Sequence, residues 1–329
     1  MRRREFITLI GGAAAAWPLT ARAQQDVRIV RVGVLGPSLD SIPVLESSYY
    51  PSFLAELRKL GFEQGRNLLV EYRSFGQDIS QATASVNELI AWKADALFVF
   101  GPELPLRAAA AAAPIPIVVG AINFDPITKG FVQSLARPGG NITGVVARWP
   151  QITAKQVELL QEAFPDRSRL GMLWDTLSAD QFAAAQSQAK AMGLELRGFK
   201  LENPPYDFAV AFRALAQDNV QTVIVGASPL FPRQSTKIAA LAIEHRLPCM
   251  FIVKFYVEDG GLMSYGVDMP WLMRRTASYV AKILRGAKPA DLPVEAVDHL
   301  EFVLNLKAAK AIGVTLPTPT LLRADEVIE

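Results

Sequence analysis

The amino-acid sequence predicts an α/β protein of two Rossmann-like, open-sheet lobes joined by a hinge, with a cleft between them. Apolar, strand-like runs alternate with helical segments of about 10–15 residues, which is typical of parallel β-α-β units. The order of strand, polar loop, helix and strand occurs twice, and its first helix ends at Leu60-Gly61 in one half and at Met192-Gly193 in the other. The chain has 329 residues, half of them hydrophobic, which favours two domains over one.

The first half begins with the apolar run 27–36, which predicts a buried strand ending in glycine. Residues 47–61 form a predicted helix because Phe53, Leu57 and Leu60 recur at helical spacing. The remaining elements follow from the same two periodicities. Strands are predicted at 27–36, 67–73, 95–101, 115–123 and 141–147, and helices at 47–61, 79–94 and 105–114.

The second half repeats this order. The apolar segment 168–175 predicts a strand, and Gly193 ends the helix that follows it. Strands are predicted at 168–175, 194–200, 221–227, 248–253 and 261–266, and helices at 178–193, 208–217, 235–246 and 271–286.

An export signal is predicted at residues 1–23. Three arginines precede the short apolar run Phe6–Leu19, and Ala21-Arg22-Ala23 provides a small-residue site for cleavage after Ala23. The run is too short to span a bilayer, which takes about 20 apolar residues. Arg3-Arg4-Glu5-Phe6-Ile7 is similar to the twin-arginine pattern of an exporter that carries folded proteins. A membrane anchor that is never removed is the alternative.

Removal of that segment changes the charge balance of the chain. The full sequence has 34 Lys+Arg and 32 Asp+Glu. Residues 1–23 contain four arginines and one glutamate, so 30 basic and 31 acidic residues remain and the net charge becomes −1. Because no run of Lys or Arg survives elsewhere, the composition argues against a nucleic-acid partner.

The single cysteine, Cys249, excludes an intramolecular disulfide. It lies in an apolar, strand-like run, so we expect a buried and inert thiol. After the signal, no apolar stretch is long enough for a membrane span. The sequence therefore predicts a free, soluble, exported protein located in the periplasm.

Candidate ligand-binding residues follow the predicted strands, because ligands of open α/β sheets bind outside the carboxyl ends of the strands. The residues at these positions are small, hydroxylated, amide-bearing or acidic, with a few aromatics, which suits a small polar or zwitterionic ligand. Each of them has a structural alternative: Pro37 and Pro102 are ordinary turn formers, and Ser178 is able to cap its helix. The candidates are Pro37, Ser38, Gly101, Pro102, Asn123, Asp125, Asp175, Ser178, Ala227, Ser228 and Tyr265.

Patterns of catalytic residues are missing from the sequence. The segment 226–230 lacks the second glycine of a nucleophile elbow, and no strand is followed by a glycine-rich phosphate-binding loop. The two histidines, His245 and His299, have no second ligand at metal-binding spacing. We therefore expect no metal, no cofactor and no enzymatic activity.

Six segments carry a resemblance to a known family. They include DPITKGFVQSLARPGGNITGV (125–145) and FYVEDGGLMSYG (255–266), and the others lie at 55–73, 283–295, 302–313 and 321–329. Through them the chain resembles the substrate-binding proteins of ABC-type importers with the type I periplasmic-binding-protein fold. The branch it resembles includes binders of aromatic amino acids.

This resemblance implies a monomer that captures a small organic solute, such as an amino acid or an aromatic carboxylate, in the interlobe cleft. It implies delivery of the solute to an ABC permease in the inner membrane. The chain would cross between the lobes near 145–147, 266–268 and 292–297. Lobe 1 would comprise 27–145 and 267–290, and lobe 2 would comprise 146–266 and 291–329.

Two departures from many relatives bear on the ligand. Gly101-Pro102-Glu103 places a carboxylate near the cleft mouth, which argues against an ordinary amino acid. Trp174 precedes Asp175 where many relatives have Asn-Pro, and its ring either stacks on an aromatic ligand or packs in the core. Two other functions stay open: a ligand-sensing partner of a membrane receptor, and a periplasmic α/β hydrolase or epimerase.

Overall fold

The computed structural model describes residues 28–36, 49–75, 81–101, 103–112, 115–122, 124–202 and 204–329. The predicted export signal lies outside these residues, as do four candidate site residues, Pro37, Ser38, Pro102 and Asn123. Within the described ranges, none of the helices has the length and apolar character needed to cross a membrane.

The described residues form 13 strands and 11 α-helices. The strands are β1 (Val30–Gly36), β2 (Leu68–Ser74), β3 (Ala96–Phe100), β4 (Ile117–Ile122), β5 (Ile142–Val146), β6 (Arg169–Trp174), β7 (Glu195–Lys200), β8 (Thr222–Val225), β9 (Cys249–Phe251), β10 (Met263–Val267), β11 (Glu295–Ala296), β12 (Leu300–Asn305) and β13 (Glu326–Ile328). The helices are α1 (Tyr49–Lys59), α2 (Ala82–Ala91), α3 (Glu103–Ala111), α4 (Trp149–Ala163), α5 (Ala179–Ala191), α6 (Phe208–Gln217), α7 (Ser235–Glu244), α8 (Phe255–Glu258), α9 (Met269–Leu284), α10 (Leu306–Ile312) and α11 (Thr318–Arg323).

Two sheets organise the chain. The first has six strands in the order β11-β5-β4-β3-β1-β2, and all its pairs are parallel. The second has seven strands in the order β13-β12-β10-β9-β8-β6-β7, with one antiparallel pair between β10 and β12. Strand β1 is buried along nearly its whole length, as expected of a parallel sheet covered by helices on both faces.

Helix α9 returns from the second sheet to the first. It follows β10 but packs against α1, β4 and β5. Its buried side chains include Leu272, Thr276, Tyr279 and Ile283, which recur at three- and four-residue spacing and form one face. The first lobe is therefore completed by a helix from late in the sequence.

Three crossings join the two sheets. They follow β5, β10 and β11, and hydrogen bonds connect them. The Val297 N–H donates to Val146 O at 2.9 Å, and the Asp268 N–H donates to His299 O at 3.2 Å. The His299 ring stacks on Trp271, the third residue of α9, with centroids 4.4 Å apart. The crossings thus form one connected segment.

The structure differs from the predicted lobe boundary at residue 291. Strand β11 pairs in parallel with β5 of the first sheet, Glu295 opposite Val145. The approach to β11 is also attached to the first sheet, because the Thr143 Oγ1 donates to Leu292 O at 2.8 Å. Residues 291–296 therefore belong with the first sheet, and the second lobe resumes after them.

Helix α4 was not predicted, and it connects the first crossing to the second lobe. The side chain of Gln156, in this helix, is fully buried. Its Nε2 donates to Tyr265 O at 2.7 Å and to Phe251 O at 3.2 Å. These carbonyls lie on β10 and at the end of β9, so the amide ties α4 to two neighbouring strands. The helix begins at Trp149, immediately after the crossing that follows β5.

Candidate ligand-binding site

Both sheets contain a point where the chain turns from one side of a strand to the other. Strand β1 lies between β2 and β3, and β6 lies between β7 and β8. In open α/β sheets, the carboxyl ends of strands at such switch points form ligand sites. In the second sheet the switch point is occupied by Asp175, which follows β6, and by Ala227 and Ser228, which follow β8.

The Asp175 carboxylate holds this region together. Its Oδ1 accepts hydrogen bonds from Leu177 N (3.0 Å), Ser178 N (3.1 Å) and Ser178 Oγ (3.0 Å). Its Oδ2 accepts from Ser228 Oγ (2.5 Å) and Tyr206 Oη (3.0 Å). The residue is only 1% exposed. One carboxylate therefore joins the loops that follow β6, β7 and β8.

The other predicted residues of the second lobe lie around this carboxylate and are also buried. The Ser178 Oγ accepts from Asp175 N at 2.9 Å, so the two residues cap the short helical turn reciprocally. Ala227 is held by the buried Gln181, which accepts from its N–H at 2.7 Å and donates to its carbonyl at 3.2 Å. The structure brings Asp175, Ser178, Ala227 and Ser228 together, in a fully hydrogen-bonded arrangement below the surface.

Tyr206 is the member of this network that the sequence analysis missed. It lies in the loop after β7, half-buried, with its ring edge-on to Phe231 (centroids 5.6 Å) and Phe208 (6.2 Å). Burial raises its pKa well above the usual tyrosine range, and the nearby charge of Asp175 raises it further. Applying the carboxyl-end rule to β7 would have identified this loop.

Tyr265 lies elsewhere in the second lobe. It is part of β10, and its ring is edge-on to Phe302 of β12, with centroids 6.3 Å apart. Burial raises its pKa, and its charged neighbours include Lys155 and Arg323. The structure does not join this side chain to the Asp175 network.

The first lobe contributes two described candidate residues. Gly101 is buried with φ +121°, a backbone conformation that favours glycine, and it follows β3 at the first switch point. Asp125 is exposed, and its Oδ1 accepts from Ile127 N at 2.8 Å, which closes a local turn. The hydrogen bond made by Asp125 lies within the first lobe.

The carboxylate of Glu103, expected near the cleft mouth, is paired. Lys129 Nζ lies 2.9 Å from its Oε2, and Arg107 donates to its Oε1. These two cations lower the pKa of Glu103, with the Arg107 hydrogen bond the largest cause. Glu103 therefore adds little net negative charge to this rim, which weakens the sequence argument against an amino acid ligand.

Trp174 packs within the second lobe. Its ring is stacked on Phe182 of α5 with centroids 4.6 Å apart and planes inclined by 4°, and Lys200 Nζ lies 5.8 Å from the ring centre. Its Nε1 is buried without a hydrogen-bond partner among the described residues. Of the two interpretations of this residue, the geometry fits core packing.

An aromatic contact connects the two lobes. Tyr49 begins α1, which follows β1 of the first sheet, and Phe255 begins α8, which follows β9 of the second; their ring centroids are 6.2 Å apart. Burial raises the pKa of Tyr49 well above its usual range, while a hydrogen bond from the Phe255 backbone acts against this effect. Neither residue was among the sequence candidates.

Comparison with known proteins agrees with this architecture. Residues 40–328 match the family described as ABC transporter substrate binding protein. A tyrosine-binding protein of Clostridioides difficile (strain R20291) is 23% identical over 297 residues, which are 89% of this chain and 82% of that protein.

Two solved structures share the fold over most of the chain. The ABC domain from Streptococcus pneumonia in complex with L-Trp has a TM-score of 0.81 and 26% identity, covering 91% of this chain and all of that one. A conserved domain protein from Vibrio cholerae has a TM-score of 0.82 and 25% identity, with the same coverage.

These findings confirm the predicted fold and the prediction of a binding protein rather than an enzyme. They leave the individual ligand contacts as predictions. Since the family match spans most of the sequence, including all three crossings and every strand except β1, the chain belongs to the family of ABC transporter substrate-binding proteins, with the type I periplasmic-binding-protein fold.

Proposed function

We propose that this protein is exported to the periplasm, captures an aromatic amino acid between its lobes and delivers it to an ABC permease in the inner membrane. The observation that carries the proposal is the similarity, over about nine tenths of the chain, to the L-Trp complex and to the tyrosine-binding protein. The predicted signal at residues 1–23 supports export.

The site geometry supports a ligand with both a polar and an aromatic part. The switch point of the second sheet carries the buried Asp175 network, with Tyr206 at its surface. Tyr49 and Phe255 contact each other from opposite lobes. Closure of the two lobes around a solute by hinge motion would place the solute between the Asp175 network on one side and the Tyr49–Phe255 pair on the other.

Calorimetric titration of purified residues 24–329 tests the ligand class. The panel contains L-tyrosine, L-tryptophan, L-phenylalanine, L-leucine, 4-hydroxybenzoate and ribose, after mass spectrometry has shown that the protein carries no co-purified solute. We expect saturable binding of one aromatic amino acid, and an increase in melting temperature of about 4 °C at a hundredfold excess over Kd. Binding of an aromatic carboxylate or a sugar instead, or of nothing in the panel, would refute the aromatic amino acid.

Export and association state need separate measurements. We expect the full chain to be processed after Ala23 and recovered from the periplasmic fraction, and Arg3→Lys combined with Arg4→Lys to block export if the twin-arginine route is used. We expect light scattering of the processed protein to give the mass of a monomer. Retention of an intact residue 1–23 segment in the membrane fraction would favour an uncleaved anchor.

A further inference from the structure

The hydroxyl groups of Tyr206 and Ser228 both act as hydrogen-bond donors to Asp175. Asp175 Oδ2 lies 3.0 Å from Tyr206 Oη and 2.5 Å from Ser228 Oγ. A carboxylate is an acceptor, and each hydroxyl has a single donor hydrogen. Both hydroxyls therefore donate to Asp175, and what each oxygen has left to offer another molecule is its lone pairs.

Burial separates the members of this network. Asp175 and Ser228 are 1% and 2% exposed, whereas solvent reaches part of Tyr206. The Ser228 Oγ also accepts from Leu230 N at 3.2 Å, which occupies a lone pair. Tyr206 is thus the hydroxyl-bearing residue of the network that is not fully buried at this edge of the sheet.

The charge behind this acceptor is negative. Among the described residues, the groups that donate to Asp175 are two backbone N–H groups and three hydroxyls, all of them neutral. Burial is the largest cause of the raised pKa of the Tyr206 hydroxyl, and the nearby charge of Asp175 raises it further. A lone-pair acceptor in front of a carboxylate complements a cationic N–H donor.

We propose that Tyr206 is a specificity-determining residue of the second lobe, and that Asp175 orients its hydroxyl to accept a hydrogen bond from the ammonium group of the solute. In this arrangement Asp175 is a positioning residue and does not touch the ligand. The inference rests on the proposed function, because it assigns one end of an amino acid to one lobe.

The test compares L-tyrosine with 3-(4-hydroxyphenyl)propanoate, which has the same ring and carboxylate but no ammonium group. If the wild-type chain binds another aromatic amino acid, that amino acid and its deamino analogue replace this pair. The readout is the Kd of the propanoate divided by the Kd of the amino acid. It is measured by calorimetry for the wild-type chain, Tyr206→Phe and Asp175→Asn. Tyr279→Phe is the matched control, since its hydroxyl donates to Pro293 O at 2.7 Å, away from this network. Circular dichroism and melting temperature verify that each variant is folded.

We expect Tyr206→Phe to raise the Kd of the amino acid roughly tenfold or more and that of the propanoate by less than about threefold. Together these two changes lower the ratio of the propanoate Kd to the amino acid Kd. Asp175→Asn keeps the shape of the side chain but supplies an N–H group in place of one oxygen, and it should lower this ratio too. Tyr279→Phe should leave the ratio unchanged. Should Tyr206→Phe fail to fold, Asp175→Asn alone decides the question.

Equal weakening of both ligands, or an unchanged ratio in both variants, would overturn the inference while leaving the proposed function intact. Failure of the wild-type chain to bind any aromatic amino acid would overturn the proposed function, and the inference with it.

Discussion

We expect Glu301 to make the stability of this protein dependent on pH. It lies on β12 opposite Gly266 of β10, at the end of the third crossing, and it is half-buried. Burial raises its pKa from 4.5 to about 7; the next largest cause is the charge of Asp268, and Glu326 and Glu258 act in the same direction. Lys254 opposes them, but it is already paired with Glu326 at 2.7 Å.

The sign of the effect follows from the raised pKa. Below about pH 4.5 the carboxyl is protonated in the folded and the unfolded chain, so it adds no cost. As the pH rises toward 7, the unfolded chain loses this proton first, and the free energy of unfolding falls; above pH 7 the loss is complete. A difference between 4.5 and about 7 corresponds to about 3 kcal/mol at full strength, which solvent screening of a half-exposed side chain reduces to about 1–2 kcal/mol.

Glu301→Gln removes the titration while keeping the shape of the side chain. Urea unfolding at pH 5 and pH 8 should give the variant and the wild-type chain similar stability at pH 5, and a variant more stable by about 1–2 kcal/mol at pH 8. Glu244→Gln, an exposed position at the end of α7, is the control and should show no such difference. A Glu301→Gln effect that is equal at both pH values, or destabilising at pH 8, would refute the reasoning.

Three further substitutions and reactions test the packing. Gly144→Ala combines φ +134° with a Cβ only 2.2 Å from Val119 O, so we expect a loss of at least about 3 kcal/mol in urea unfolding; a loss under about 1 kcal/mol would contradict the geometry. Trp174 is only partly buried, so Trp174→Ala should destabilise the fold by about 2–3 kcal/mol, less than loss of a fully buried ring, and leave ligand affinity unchanged, whereas a selective loss of affinity would show that the ring contacts the ligand. Cys249 is buried and burial raises its pKa, so a thiol reagent should modify it no faster than the chain unfolds; rapid modification in native buffer would be inconsistent with that burial.

The positions of most strands could be predicted because most of the parallel strands are local apolar runs, and the carboxyl-end rule then gave the candidate residues of the second lobe. Asp175, Ser178 and Ser228 do meet at the switch point. Their hydrogen-bond roles were not predictable, since Asp175 and Ser228 are 53 residues apart and nothing in the spacing indicates which partner each oxygen has. For Ser178, the sequence suggested a cap of the helix that follows, but its side chain makes the reciprocal cap with Asp175 instead.

Contacts between distant elements account for the other misses. Tyr49 and Phe255 are in contact although α1 and α8 follow strands of different sheets. Local periodicity gives no information about such a contact between distant elements. Strand β11 has two residues, too short to produce an alternating pattern, and its pairing with β5 depends on the path of the third crossing. Such features are determined by tertiary packing rather than by local propensity.

We expect ligand selectivity to depend on residues of the proposed site, and the pH-dependent part of the folding stability to depend on a residue at a crossing. A ligand shifts the lobes toward closure only by the difference in its affinity for the two arrangements, so selectivity requires groups that contact it. In the second lobe, Asp175 preorganises the hydroxyl that we propose to contact the ligand, that of Tyr206. Glu301 lies at a crossing and acts on the folded chain through burial and neighbouring carboxylates. Glu301→Gln should therefore change the unfolding free energy without changing the preference for an amino acid over its deamino analogue, whereas Tyr206→Phe should change that preference.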